Sequence, residues 1–476
     1  SGKIIYGAAN TANRESSLAL GNQNKAINKS ASAIGVGNTA SGEASVAMGN
    51  SSTASGDRSI AIGSGANATE GAALAIGRQA EATGSSAVSV GYLSKAKKNV
   101  AVALGVNNNV DGEQSTAVGS SNTIATDANQ ATVIGRTNKI NRAGSFAGGF
   151  SNVTNGERNV AVGSENTTTG EDSIGIGTKV IAGTGKTIAI GNTMVNSDYP
   201  NGRQTIARGK NKLDGSGNPM YGTADVNNVF ALAIGNGAQA DGSVKGKSGM
   251  IAIGQEVTAD DNNTIAMGVK TKATNGNATA VGSYAQALGS SSAAFGTQAV
   301  ANGLGATAFG PGATAGTDGI VANGSTAVGR ASKVTADGGT GIGWNTVANV
   351  ADATAIGHNA TANIAGGVAL GSGSVTTVAA GSIGYNPTNP EFGDTRKRTY
   401  SGLNGTTFMS TLAAVSIGNG TNGTRQITGL AAGTSNTDAV NVAQLKSVNV
   451  RVGADTNTAT VGTNKVAADF LAYNGQ

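Results

Sequence analysis

An all-β fold, a parallel β-solenoid wound from fourteen-residue coils, follows from three observations. A glycine returns every fourteen residues, large apolar and small residues alternate in short stretches, and bulky side chains are too few to fill a wide core. Residues 45 to 58 read SVAMGNSSTASGDR and the next fourteen read SIAIGSGANATEGA, with small residues in the same columns. The glycine closing each S-x-A-x-G unit stands at Gly21, Gly35, Gly49, Gly63, Gly77, Gly91, Gly105 and Gly119. After a two-residue slip it resumes at Gly135 and runs to Gly191, then from Gly254 to Gly310 and from Gly329 to Gly371. Glycine accounts for 75 of 476 residues, against 8 Phe, 8 Tyr and one Trp, so any core is thin and repeated.

Each coil carries two turns, because a second glycine often follows seven or eight residues after the first, as at Gly42, Gly56 and Gly84. Between the turns, Ser59-Ile60-Ala61-Ile62 has the period-two alternation of a strand. At ~3.3 Å per residue, fourteen residues give about 46 Å of chain, enough for two short strands and two tight bends in a flattened coil. Stacked at ~4.8 Å, about two dozen coils make a rod of roughly 110–120 Å.

Large residues such as Ile60 and Ile62 are expected to form a thin internal seam. Ala47, Ala61, Ala75, Ala161, Ala189, Ala252, Ala266, Ala280 and Ala327 would then lie on the opposite face. A face kept this small suits close contact between chains, and these alanines are the expected interface of a self-assembly; small residues that merely suit crowded turns are the alternative.

The rhythm breaks near 192–234, 236–249 and 311–324, and in solenoids such additions go to loops on one face, often the binding face. Basic residues gather in turns and insertions, among them Lys95, Lys97, Lys98, Arg208, Lys210 and Lys212. They read either as a solvated rim or as an attraction for anionic surfaces. The position after the anchor glycine holds Tyr92, Phe150, Trp344 and His358, exposed anchors for a partner or caps over the turns.

Catalytic parts are missing. The single histidine has no companion histidine or cysteine, so neither a zinc site nor a nucleophilic triad can be assembled, and no phosphate-cradling loop occurs. An enzyme, a cofactor and a metal site are not expected. The net charge of +5 is mild for this length, which argues against a nucleic-acid partner. No stretch approaches the ~18 apolar residues of a membrane helix. The lack of cysteine excludes disulfides and is compatible with a chain kept threadable during export.

After residue 384 the repeat ends. Residues 385–414 read as a connecting loop and 415–448 as a distinct element in which Asp438 caps a short helix. Val442, Leu445, Asn449 and Val452 have the spacing of a starting coiled coil, and 449–476 begin a stalk or connector.

The stretch RQITGLAAGTSNTDAVNVAQL, Arg425 to Leu445, resembles the neck of the trimeric autotransporter adhesins, and the S-x-A-x-G units resemble their YadA-type head. The resemblance covers residues from about 17 to 448. It implies a left-handed parallel β-roll over residues 1–384, three chains about a threefold axis, and a neck involving Arg425, Gln426, Leu430, Asp438, Ala439, Val440, Asn441, Val442, Gln444 and Leu445. Anchorage is implied through a C-terminal outer-membrane barrel that is not in this segment, with display on the bacterial cell surface. The implied function is a non-enzymatic adhesin head whose multivalent display binds an extracellular matrix protein, a host-cell receptor, another bacterial surface or an abiotic surface. The alternative is a structural spacer projecting a binding domain located elsewhere. A monomeric ice-binding solenoid would need a regular threonine array, and the threonines here look scattered. The head motif N-S-V-A-I-G of collagen-binding members has only partial matches, such as Asn159-Val160-Ala161-Val162-Gly163.

Overall fold

The computed structural model describes residues 2–183, 186–193, 205–208, 230–241, 247–317, 319–384, 406 and 409–447. Two compact units are formed, Ser1–Ala379 with Ala413–Gly423, and Ala380–Leu412 with Thr424–Gln476. The first is an all-β parallel solenoid of about 23 turns. One coil serves for all: a long strand Val46–Asn50, a two-residue turn, a short strand Thr53–Ala54, a five-residue turn, and the next long strand Ile60–Ser64. Long strands stack into a 25-stranded parallel sheet and short strands into a second parallel stack. Register is kept column by column, Ala47 against Ala61 in one sheet and Ala54 against Ala68 in the other.

The faces are the reverse of the expected ones. Ala47, Ala61, Ala75, Ala161, Ala189, Ala252, Ala266, Ala280 and Ala327 are all 0% exposed within one chain, because they point between the two sheets. They line the interior of the coil and present no surface to a second chain. The larger residues flanking them, Val46 and Met48 or Ile60 and Ile62, point out of the long-strand sheet and are half-buried or exposed. Two sheets joined by a two-residue turn lie close together, so the interior is filled mainly by alanine, serine, threonine and asparagine, with larger side chains such as Val110, Ile124, Ile140 and Met250 at a few places.

The turns are held by devices that the glycine count does not reveal. A non-glycine residue in the left-handed region recurs every seventh position, as at Ala44, Ser51 and Arg58 with φ of 55°, 57° and 59°. Each such residue costs roughly 1–2 kcal/mol, and its N–H is bonded to the preceding coil, Ser51 to Val36 O at 2.8 Å and Arg58 to Glu43 O at 2.7 Å. The anchor glycine has two reasons to be glycine. Gly49 has φ of 131°, and a Cβ there would collide with the carbonyl oxygen of Gly63 in the next coil.

Inside the two-residue turn runs an asparagine ladder, the half-buried Asn10 followed by the buried Asn24 and Asn38, and again the buried Asn108, Asn122, Asn138, Asn152 and Asn166. Asn122 is typical. Its Nδ2 donates to Asn108 Oδ1 at 3.0 Å and to Gly135 O at 2.8 Å, and its Oδ1 accepts from the backbone N–H of Asn138 at 3.0 Å. Ser52 closes the first ladder through its hydroxyl, 2.6 Å from Asn38 Oδ1, and the Val180 N–H closes the second on Asn166 Oδ1 at 3.0 Å. Polar atoms in a dry interior are tolerated when each finds a partner, and the fourteen-residue stacking supplies one to every rung.

In the second unit, the Gly381 N–H donates to Ser410 O at 2.7 Å, and Ile383 bridges Met409 in antiparallel fashion. Among the described residues one helix, α1, spans Val442–Ser447. Its cap is Asn441, where Asp438 was expected. Gln444 N–H donates to Asn441 Oδ1 at 2.9 Å while Gln444 Oε1 accepts from the Asn441 N–H at 3.3 Å, a reciprocal capping box. Asp438 Oδ2 instead accepts from the N–H groups of Thr434 and Ser435, each at 2.9 Å, and closes the turn ahead of the helix. Those two bonds hold its carboxyl below the ordinary value of 3.8. Asn449, Val452 and the rest of 449–476 lie outside the described residues, and of the 385–414 connecting loop only 406 and 409–414 are described.

Candidate binding and assembly surfaces

The outward face of the long-strand sheet carries two columns of side chains, the second largely apolar and the first mixed, with Val46, Ile60 and Val102 but also Thr116, Thr279, Thr326 and Thr354. In the second column Ile134 is 49% exposed and Phe309 57%, and Leu20, Met48, Ile342 and Leu370 are exposed as well. At ~4.8 Å per coil the columns run about 110 Å and are about 7 Å wide. Such an area exceeds the ~300–600 Å² of the largest apolar patch on a typical monomer.

Where an aromatic side chain enters this face, its volume is compensated by a small neighbour in the same coil. Where the second position is Gly148, the first is Phe146, whose ring lies so close that a Cβ on Gly148 would be 3.0 Å from it. Where the first position is Ala293 or Thr307, the second is Phe295 or Phe309, and those two rings pack with centroids 5.9 Å apart. Close-packed contact explains such compensation better than water does.

At the turn from long to short strand, the expected aromatic anchors prove to be parts of stacks. The guanidinium of Arg78 lies 5.4 Å from the ring of Tyr92, that of Arg136 4.7 Å from Phe150, and that of Arg330 5.6 Å from Trp344. Trp344 and His358 stack at 4.6 Å with planes 20° apart. All four predicted residues remain exposed. The sequence reading missed these pairings, although each arginine stands one coil before its aromatic residue.

The basic residues separate into paired and unpaired ones. Lys95 is bound to Glu81 at 2.9 Å and Lys97 to Asp111 at 3.1 Å, each along the stacking direction. Lys98 is exposed beside them. Lys210, Lys212 and the side chain of Arg208 lie outside the described residues, although the Arg208 backbone ends the strand Ile206–Arg208.

The insertions share an edge. The two-residue slip follows the short strand Thr123–Ile124, the 236–249 addition follows Gln239–Asp241, and the 311–324 addition follows Thr314–Ala315. All three enter the turn from short to long strand. The last forms a small bridge between Thr317 and Ile320, held by Asn302 Nδ2 donating to Thr317 O at 2.6 Å. The opposite turn is closed by the asparagine ladder, where extra residues would separate the rungs. In the 192–234 break both turns are lengthened, and most of it lies outside the described residues.

The neck keeps its polar groups satisfied and its apolar ones uncovered. Asn441 Nδ2 donates to Leu430 O at 3.1 Å, and Gln444 Nε2 to Gly433 O at 2.8 Å. Ile427, Leu430, Val440, Val442 and Leu445 are exposed, Leu445 at 68%, and α1 buries no residue. Arg425, Gln426 and Ala439 are exposed too.

Fold and surfaces define a parallel β-roll protein whose distinctive features are a long apolar face, two edges and an uncovered neck. The YadA head domain repeat matches residues 26–52, 40–66, 68–94, 101–122, 259–285, 287–315 and 351–374. The coiled stalk of trimeric autotransporter adhesin matches residues 426–468. The chain belongs to the trimeric autotransporter adhesins, with a YadA-like head and neck. That family is one of adhesins, not enzymes, and implies trimeric display at the cell surface from an outer-membrane anchor. No curated protein matches the chain.

Proposed function

We propose that this chain is the head of a surface adhesin in which three copies pack through the outward faces of their long-strand sheets, as left-handed rolls about a common axis, and bind matrix, host-cell or bacterial surfaces along the remaining edges. The observation that carries the reading is the volume-compensated apolar face. Fully burying a valine or isoleucine contributes about 1.5–3 kcal/mol, and with two half-exposed side chains per coil, roughly 1.5–3 kcal/mol per coil is available to assembly. The exposed neck side chains call for the same cover, and the stalk match continues the chain into a coil. Three identical edges would add weak contacts by multivalency.

Attachment of bacteria displaying the parent protein, with and without residues 2–379, to immobilised matrix proteins and host cells tests the adhesin role. Loss of attachment on deletion is the expected result. Full attachment without the head would establish the spacer reading instead.

A further inference from the structure

We propose that the edge joining long to short strands is a binding site for a linear sulfated polysaccharide, with Arg78, Arg136 and Arg330 as its anchors. The inference rests on the adhesin reading and names the ligand class of one edge.

The column directly after the anchor glycine holds three arginines among the described residues, and each is followed one coil later by an aromatic residue against its guanidinium. No aromatic ring described in that column other than the His358 imidazole lacks an arginine before it, and His358 extends the third stack. The pairing recurs at separate places along the roll, so it is a property of this edge.

Several other basic residues of the roll stand beside acids. Lys95, Lys97, Arg158, Lys179 and Lys247 pair with Glu81, Asp111, Asp172, Glu165 and Asp261. Among the described residues, Arg78, Arg136 and Arg330 have an aromatic plane and no carboxylate. The adjoining turn position supplies Gln79, Leu93, Thr137, Ser151, Ala331 and Asn345, none acidic. Glu165, the nearest acid in that column to the second stack, is itself bound to Lys179 at 3.7 Å.

An arginine stacked on a ring loses rotamer freedom before any ligand arrives, while its N–H fork stays available for a sulfate or carboxylate. Preorganisation of this kind lowers the ordering cost of binding. Arg78 and Arg136 are four coils apart, about 19 Å at ~4.8 Å per coil. One contact repeated along a straight edge suits an extended polymer with regularly spaced oxyanions. The mild net charge of +5 argues against nucleic acid, which needs dense phosphate neutralisation.

The test uses the 476-residue chain and immobilised heparin as probe. The expected result is retention at physiological ionic strength that weakens steeply with salt, with affinity reduced about tenfold or more in the Arg78→Gln/Arg136→Gln/Arg330→Gln variant. The corresponding triple lysine variant, which keeps charge but loses fork and stack, should lose an intermediate amount. Unchanged circular dichroism and oligomeric mass in both variants keep the comparison clear of folding. No retention of the parent chain, an unchanged affinity of the glutamine variant, or equal binding to polyglutamate would overturn the proposal. Heparin binding is read on isolated protein, so its failure is distinguishable from failure of the head-deletion test on cells.

Discussion

Replacing Asn122 by alanine removes one rung from the buried ladder and should loosen the roll locally. The side chain donates to Gly135 O at 2.8 Å and accepts from the Asn138 N–H at 3.0 Å. Asn138 is buried and Gly135 half-buried, and alanine leaves the carbonyl and the N–H without those bonds. At about 1–3 kcal/mol per unsatisfied buried group, the two cost about 2–6 kcal/mol at most; with the Gly135 carbonyl only half-buried, a value of about 3 applies, which corresponds to roughly a hundredfold in the local opening equilibrium. Amide exchange read by mass spectrometry on peptides spanning residues 116–140 should accelerate by that order, while peptides near residue 300 keep their protection. Asn122→Thr should recover part of the loss, because Thr271 Oγ1 reaches Gly282 O at 2.6 Å from the equivalent place in another coil. Unchanged exchange in Asn122→Ala would refute the idea that the ladder supports the two-residue turn.

Gly49→Ala should prevent proper stacking of the coils on either side, since φ of 131° and the Gly63 carbonyl both oppose a side chain; a soluble, fully protected variant would contradict this. Ile134→Lys should leave the secondary structure of a single roll intact while weakening assembly, read as a concentration-dependent fall in mass. The Arg158 and Asp172 pair, 2.6 Å apart on an exposed edge, should add less than about 1 kcal/mol and fade in high salt. Asp172 is held below its ordinary value by the Arg158 hydrogen bond, so this small contribution is present above pH ~4 and is lost as the pH falls through the depressed value. Asp438, depressed by the N–H groups of Ser435 and Thr434, follows the same sign. The neck turn should stay closed at neutral pH and open only in acid below the ordinary 3.8, which amide exchange at Thr434 and Ser435 would show.

Period, strand alternation and the flattened two-strand coil were all legible in residues 45 to 72, because a stacked repeat writes each contact many times. The direction of the alternation was not. Ile60-Ala61-Ile62 specifies that isoleucines share a face, and the usual rule that large apolar residues point inward chose the wrong one. Here the closely spaced sheets are filled mostly by small residues, with Val110, Ile124 and Ile140 among the exceptions, so the composition argument for a thin core already pointed to the answer. The arginine and aromatic columns were readable once spaced at fourteen, whereas the asparagine ladder and the left-handed residues alternate with alanine, serine and glycine and show no fixed letter. Asp438 was taken for a helix cap because the capping box of Asn441 and Gln444 lies three residues further on.

The outward apolar face is the centre of this account, and the mass of the 476-residue chain in solution, measured by light scattering over a range of concentrations, tests it most directly. A stable particle of three 46.2 kDa chains is the predicted result. A folded monomer that persists at high concentration would contradict it, since so long an apolar face would then stand permanently in water.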